Sequence, residues 1–156
     1  MKNSLKQMLV VMFILGPIIN GFSQDSTSKV TPYLAVGLSM SNTTTFEASS
    51  YPSIELGVMI DNISLAGVFG RKNLYQTRTE TLNNYWYEAK IAYSFPLGSV
   101  SGYGLFGAGT YIGTKGSLFI EYGGGISKEF SNFYPFVQVS NWDGITYLTP
   151  GFSYSF

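Results

Sequence analysis

The chain has 156 residues and a formal net charge of zero, from nine basic and nine acidic side chains, so a polyanionic partner such as nucleic acid is not expected. Asp, Glu, Lys and Arg make up 12% of it, against roughly 25% in an ordinary soluble domain, too few to cover a surface bathed wholly in water. With no Cys and no His, a disulfide framework, thiolate or imidazole metal ligation and an acylated lipobox cysteine are excluded, and the commonest general base is absent.

The N-terminal segment reads as an address. Lys2 and Lys6 precede an apolar run from Met8 to Ile19, broken by Gly16 and Pro17, and Gly21-Phe22-Ser23 puts small residues at the −3 and −1 positions of a cut after Ser23. The run is shorter than the roughly 20 residues of a spanning helix, so residues 1–23 are expected to be a cleaved secretory signal peptide; an uncleaved anchor is the alternative. Residues 24–29 (QDSTSK) read as a polar, disordered lead-in, and 30–156 as one domain.

Beyond Lys29 no stretch carries apolar residues at helical spacing over three turns. Period-two alternation recurs instead, bounded by Gly, Pro, Asn and Ser. Ile54, Leu56, Val58 and Ile60 interleave with Glu55, Gly57, Met59 and Asp61. Tyr85, Tyr87, Ala89, Ile91, Tyr93 and Phe95 interleave with Trp86, Glu88, Lys90, Ala92 and Ser94. Leu118 to Ser127 and Tyr147 to Phe156 repeat the pattern. With the gaps filled, strands are predicted near 30–41, 52–61, 63–72, 84–95, 100–112, 117–129, 133–141 and 145–156. Their number is even and their lengths suit a tilted strand crossing hydrocarbon.

The connections alternate as well. Asp61-Asn62, Pro96 to Ser99 and Ser131-Asn132 are tight turns, whereas Asn42 to Tyr51 and Asn73 to Asn83 are long and polar. The last two loops, around Thr114-Lys115 and Trp142-Asp143-Gly144, are short. Short periplasmic turns facing longer outer loops are the habit of outer-membrane barrels, and would leave both termini in the periplasm.

Periodicity alone does not say which face is outside. Turned inward, as in a soluble lipocalin-like barrel, the apolar row would leave a poorly charged Gly, Ser, Ala and Thr surface in water. Turned outward, it meets lipid, and the small residues fill a lumen with room only for side chains. Gly37, Gly57, Gly123, Gly125 and Gly151 would relieve crowding there, and closure would satisfy the backbone as lipid requires. The expectation is an all-β, eight-stranded antiparallel up-and-down transmembrane barrel.

The C-terminal segment Thr149-Pro150-Gly151-Phe152-Ser153-Tyr154-Ser155-Phe156 resembles the β-signal of outer-membrane proteins. In it a polar residue is followed by Gly, and aromatics stand at the third-last and last positions. The resemblance implies recognition of Thr149, Gly151, Tyr154 and Phe156 by the barrel-assembly machinery. In pattern, nearly the whole of 30–156 resembles the small porin-type outer-membrane barrels of the OmpA-transmembrane and OmpX kind. That implies a Gram-negative cell envelope and insertion in outer-membrane lipid; the oligomeric state is left open, with a monomer expected. No peptidoglycan-binding domain follows the last strand, so cell-wall anchoring is not expected.

Glu55, Glu88, Lys90 and Glu121 fall on the rows assigned to the lumen, where charges are costly unless paired. They are expected to form a charge network, joined by Arg71, that plugs the pore; an ion path or a catalytic carboxylate pair is the rival reading. A Ser–His acyl-transfer scheme is impossible without His, and no motif supports another, so no enzyme activity, cofactor or metal is expected. Gly123-Gly124-Gly125 lies within a strand with no helix after it, so it is not a phosphate loop. Aromatics near strand ends (Tyr33, Tyr51, Tyr85, Trp86, Tyr87, Tyr103, Tyr111, Phe133, Tyr134, Trp142) would form interfacial girdles where they face lipid, with Trp142 a candidate carbohydrate-stacking loop residue. The functional expectation is a structural or surface-interacting outer-membrane protein. The alternative is a narrow channel or conduit for small solutes or hydrophobic ligands.

Overall fold

The computed structural model describes residues 29–41, 49–76, 80–112 and 118–156. The signal-peptide segment, nearly all of the lead-in, most of the Asn42–Tyr51 loop and the Thr114-Lys115 loop lie outside the described residues.

Eight strands follow one another in chain order: β1 (Val30–Ser41), β2 (Ser49–Ile60), β3 (Ile63–Gln76), β4 (Glu80–Leu97), β5 (Val100–Ile112), β6 (Leu118–Ser127), β7 (Phe133–Trp142) and β8 (Ile145–Ser155). Each pairs antiparallel with the next, and β8 pairs with β1, so the sheet closes into an up-and-down barrel. Asp61-Asn62, Gly98-Ser99 and Ser131-Asn132 turn the chain at the end that also carries Lys29 and Phe156. Asp61 and Ser131 take φ of 53° and 60° there, a region that Asp tolerates better than most residues. At the other end Asp143-Gly144, with both φ values positive, makes the two-residue turn that a Asp-Gly pair favours.

The strands stand where alternation placed them, with one substantial correction. The segment Asn73 to Asn83 was expected to be a loop; instead β3 and β4 stay in register from Asn73↔Asn83 to Gln76↔Glu80. This part is polar and shows no apolar alternation, because it runs past the lipid-facing wall. Cross-strand pairing, not a buried face, keeps it extended. β2 likewise begins at Ser49, so Tyr51 belongs to a strand and not to a loop. β4 runs through Pro96 to Leu97, leaving only Gly98-Ser99 as the turn.

The apolar rows face outward. Ile54 and Leu56 are 50% and 57% exposed, and Ile91, Tyr93, Phe106, Ile120, Tyr122, Val139 and Phe152 share that outer surface. Within the Ile54 row, Val58 is buried, lying in register between Pro32 and Leu65. The interleaved residues point into the lumen, where Glu88, Glu121, Ser39, Ser140 and Thr149 are buried. The fold is therefore inside-out relative to a soluble barrel.

Candidate functional site: the barrel lumen

Lumen-facing residues are stacked in three layers. At the turn end a small apolar cluster of Tyr33, Ala35 and Ala66 packs with Met59 and Phe136. At the opposite end Tyr51, Trp86, Phe119, Trp142 and Tyr147 form a buried cluster over Val68. Polar residues occupy the level between.

The upper cluster is a plug of rings. Trp86 and Trp142 meet edge to face with centroids 4.8 Å apart, Trp142 lies 4.6 Å from Tyr147, and Phe119 lies 5.7 Å from Trp142. Edge and offset contacts of this kind suit the quadrupoles of aromatic rings. Trp86 and Tyr147 are each 1% exposed. Trp142 is thus not a loop residue open to a sugar: it ends β7 on the inward row, because the turn after it takes only Asp143 and Gly144. Tyr51 and Trp86 also belong to the plug, with Tyr111 packed against it. Of the aromatics proposed for the lipid girdle, Tyr85, Tyr87 and Phe133 stand on the outer face. Tyr85 stacks on Phe69 and Phe133 packs on Phe152.

Glycines make the room. Gly70 lies directly opposite Trp86, Gly109 opposite Phe119, Gly57 opposite Tyr33, Gly125 opposite Tyr103, and Gly151 opposite Phe136. At each of these positions a Cβ would collide with the ring of its partner. Alternation alone puts Gly57, Gly125 and Gly151 on the lumen side without fixing their partners, because register across a ladder is not encoded in local periodicity.

In the middle layer, Lys90 forms an ion pair with Glu55. The Tyr33 hydroxyl donates to the same carboxylate at 2.6 Å. The Gln138 amide donates to Glu121 at 2.9 Å and sits 3.4 Å from the Ser140 hydroxyl. Glu88 is different. It is 3% exposed, and apart from the Glu121 carboxyl beside it neither carboxylate oxygen has a hydrogen-bond partner among the described residues. Its carboxyl occupies the space that a side chain at Gly107 would take, and the charges of Glu121, Lys90 and Glu55 act on it. The four charges anticipated for the lumen therefore do share one level. Arg71 does not join them: it falls on the outward row after Gly70 and is exposed. Tyr33 and Gln138 were not foreseen as members; both lie on inward rows of strands, β1 and β7, whose register only closure of the barrel sets.

The seam between first and last strands is held partly by side chains. The β1–β8 ladder runs from Tyr33↔Ser155 to Gly37↔Gly151, lapses beside Pro150, and resumes at Met40↔Leu148. Pro150 has no N–H to offer. Across the lapse the Thr149 hydroxyl donates to Ser39 Oγ at 2.8 Å, a buried bond. Of the residues matching the assembly motif, Thr149 and Gly151 thus face the lumen, while Tyr154 and Phe156 lie outside in edge contact, centroids 5.4 Å apart.

Among the described residues no group of three or more Asp or Glu side chains is placed to hold a metal ion. A small cavity in the lumen adjoins Glu55, Glu88, Lys90, Glu121, Trp86 and Trp142.

No protein-family model matches the chain, and no curated protein matches it in sequence. Solved structures do match in shape. Neisserial surface protein A superposes with a TM-score of 0.58 at 13% identity, over 84% of this chain and all of that one. The Yersinia pestis outer-membrane protein Ail, in a phospholipid bilayer nanodisc, gives 0.55 at 15% identity over 82% of this chain and all of its own. A de novo designed transmembrane β-barrel gives 0.56 at 15% identity, over 85% of this chain and 98% of the design. The chain has the fold of the small outer-membrane barrels.

Proposed function

We propose that this chain is an integral outer-membrane barrel, exported by its N-terminal segment, with a lumen closed by its own side chains and a structural or surface-interacting role without catalysis. One observation carries the reading: an apolar outer wall surrounds a lumen filled at one end by the Tyr51–Trp86–Phe119–Trp142–Tyr147 cluster. An apolar band of this kind is stable in hydrocarbon and costly in water. Near-complete burial of these rings supports a lumen without a continuous solvent path.

The surface role rests on the β3–β4 ribbon. β2 pairs with β3 only as far as Ser53↔Gly70, and β5 pairs with β4 only as far as Tyr85↔Ile112. Among the described residues β3 and β4 pair beyond those points only with each other, so the ribbon projects past the barrel at the end opposite the turns and termini. In the usual orientation of such barrels that end faces outward from the cell.

The test is fractionation of the native protein followed by planar-bilayer recording. The expected result is recovery in the outer membrane, a detergent requirement, heat-modifiable gel mobility and no steady conductance. A steady conductance that disappears in Lys90→Ala or Glu88→Ala would replace this reading with the narrow channel. Recovery of the mature protein in solution without detergent would overturn it altogether.

A further inference from the structure

Two prolines flank Leu38 in one circumferential row of the wall, Pro52 on β2 and Pro150 on β8. Leu38 pairs with Pro52, and the register carried from Gly37↔Gly151 to Met40↔Leu148 sets it across from Pro150. At the foot of this seam the Phe156 N–H bonds to the Pro32 carbonyl at 3.0 Å. Backbone groups change side at every residue, so Leu38 and Pro150 also fall at a bonded position. Pro150 has no N–H to give, and the Leu38 carbonyl receives no donor from β8. The same alternation turns Pro52 toward β3, where the β2–β3 ladder ends at Ser53↔Gly70. Above this row the hairpin tip, Leu38–Ser41 with Ser49–Pro52, keeps its own ladder. Its other register pairs among the described residues are Met40↔Leu148 and Ser41↔Tyr147. The lower hairpin is held on both edges, Tyr33–Gly37 by β8 and Ser53–Ile60 by β3.

We propose that this tip is a lid over the ring cluster, hinged at the Pro52–Leu38–Pro150 row and latched to β8 by side chains. The latch is the Thr149 hydroxyl, which donates to Ser39 Oγ across the lapse. Tyr51 stands opposite Ser39 in the hairpin and faces the lumen with it. Its ring meets Tyr147 edge to face at 5.8 Å, within the cluster that also holds Trp86, Phe119 and Trp142. Swinging the tip outward breaks the hydroxyl bond and the two pairs to β8, while the ladder inside the tip survives. Segments held by few bonds open locally in this way without unfolding the rest. The movement lifts Tyr51 from the cluster and uncovers Tyr147 and, beside it, Trp142. The inference rests on the reading of a closed resting lumen, to which it adds the place of opening.

The experiment uses the protein purified in neutral detergent micelles, as wild type, as Pro150→Ala, and with Ser39→Cys and Thr149→Cys combined. The chain has no Cys of its own, and facing hydroxyls 2.8 Å apart suit a disulfide that locks the lid when oxidised. Amide hydrogen exchange is read beside quenching of Trp86 and Trp142, the only two tryptophans, by acrylamide. Met40 and Leu148, bonded across the seam, are expected to exchange several-fold faster than Ser140 and Tyr147, which report ordinary fraying in the β7–β8 ladder at the same end. Ser39 and Tyr51, bonded within the tip, stay protected. Oxidising the Cys pair slows Met40 and Leu148 and lowers the quenching several-fold, and reduction restores both. Pro150→Ala, which gives Leu38 a donor, moves both in the same direction without a cross-link. Exchange at Met40 and Leu148 no faster than at Ser140 and Tyr147 would overturn the lid. So would Ser39 and Tyr51 exchanging as fast as Met40, which is unfolding of the tip and not its movement. Weak quenching that ignores the disulfide would sink the lid and leave the closed lumen standing. Quenching of the locked protein as strong as that of free tryptophan would overturn both.

Discussion

Gly70 lies directly across the β3–β4 ladder from Trp86, and the indole occupies the space where a side chain at position 70 would begin. The buried ring cluster at the loop end of the barrel is built on this kind of pairing, with Gly109 under Phe119 as its second instance. Each glycine gives up conformational entropy in the unfolded chain in return for a ring that no Cβ would allow.

Changing either partner should therefore be costly in a different way. Gly70→Ala overpacks the plug and is expected to destabilise the barrel by about 1–3 kcal/mol. Trp86→Ala leaves a cavity and is expected to cost about 3–5 kcal/mol. The double variant should cost less than the sum, because the alanine at 70 then has room. Urea unfolding from micelles measures all three, and strict additivity would show that the two residues do not share space.

The Lys90–Glu55 pair is part of a buried layer, with both side chains mostly covered. Lys90→Met is expected to cost about 3–5 kcal/mol, since it strands Glu55 as an uncompensated charge. The joint change Lys90→Met with Glu55→Gln should recover most of that loss. Equal stability of the single and double variants would mean that the pair is not coupled.

Leu56 and Ile91 project from the outer wall. Arginine at either position is expected to lower folding stability in lipid vesicles by about 2–4 kcal/mol if it lies near mid-bilayer. In a water-soluble barrel the same substitutions would be neutral or helpful, so refolding yield into vesicles separates the two cases cleanly.

Beyond Arg71 and before Tyr85 the ribbon strands pair, among the described residues, only with each other. Replacing residues 73–83 with a two-residue Asn-Gly turn should leave the unfolding midpoint of the barrel nearly unchanged while abolishing any binding the ribbon supports. A large fall in stability would show that the ribbon is part of the barrel proper.

Deleting Phe156 should reduce the amount of folded protein in the outer membrane several-fold while leaving refolding in detergent nearly intact, because its ring lies on the outside against Tyr154. Thr149→Ala tests the other side of that strand: it removes the buried bond to Ser39 across the Pro150 lapse and should cost about 1 kcal/mol in vitro. Normal membrane levels without Phe156 would refute an assembly signal in this segment.

Much of this molecule was readable along the chain. Alternation at Ile54–Ile60 and Tyr85–Phe95 revealed strands, because side chains of an extended backbone change face at every residue. The scarcity of charge then decided which face meets lipid, and the same parity put Glu55, Glu88, Lys90 and Glu121 on one side of their strands. The polar ribbon was not readable, since a ladder outside the apolar wall carries no hydrophobic period, and Trp142 looked like a loop residue because its turn is shorter than the sequence implied.

Periodicity determined, by itself, the class of fold and the sidedness of each strand, both of which depend only on neighbours in sequence. Tertiary structure alone decided who meets whom: Trp86 over Gly70, Lys90 on Glu55 and not on Glu88, Tyr33 and Gln138 as donors to separate carboxylates. Those contacts depend on register and on closure of β8 against β1, which set the height of every side chain in the lumen. A shift of one residue in any ladder would have turned these groups out to lipid.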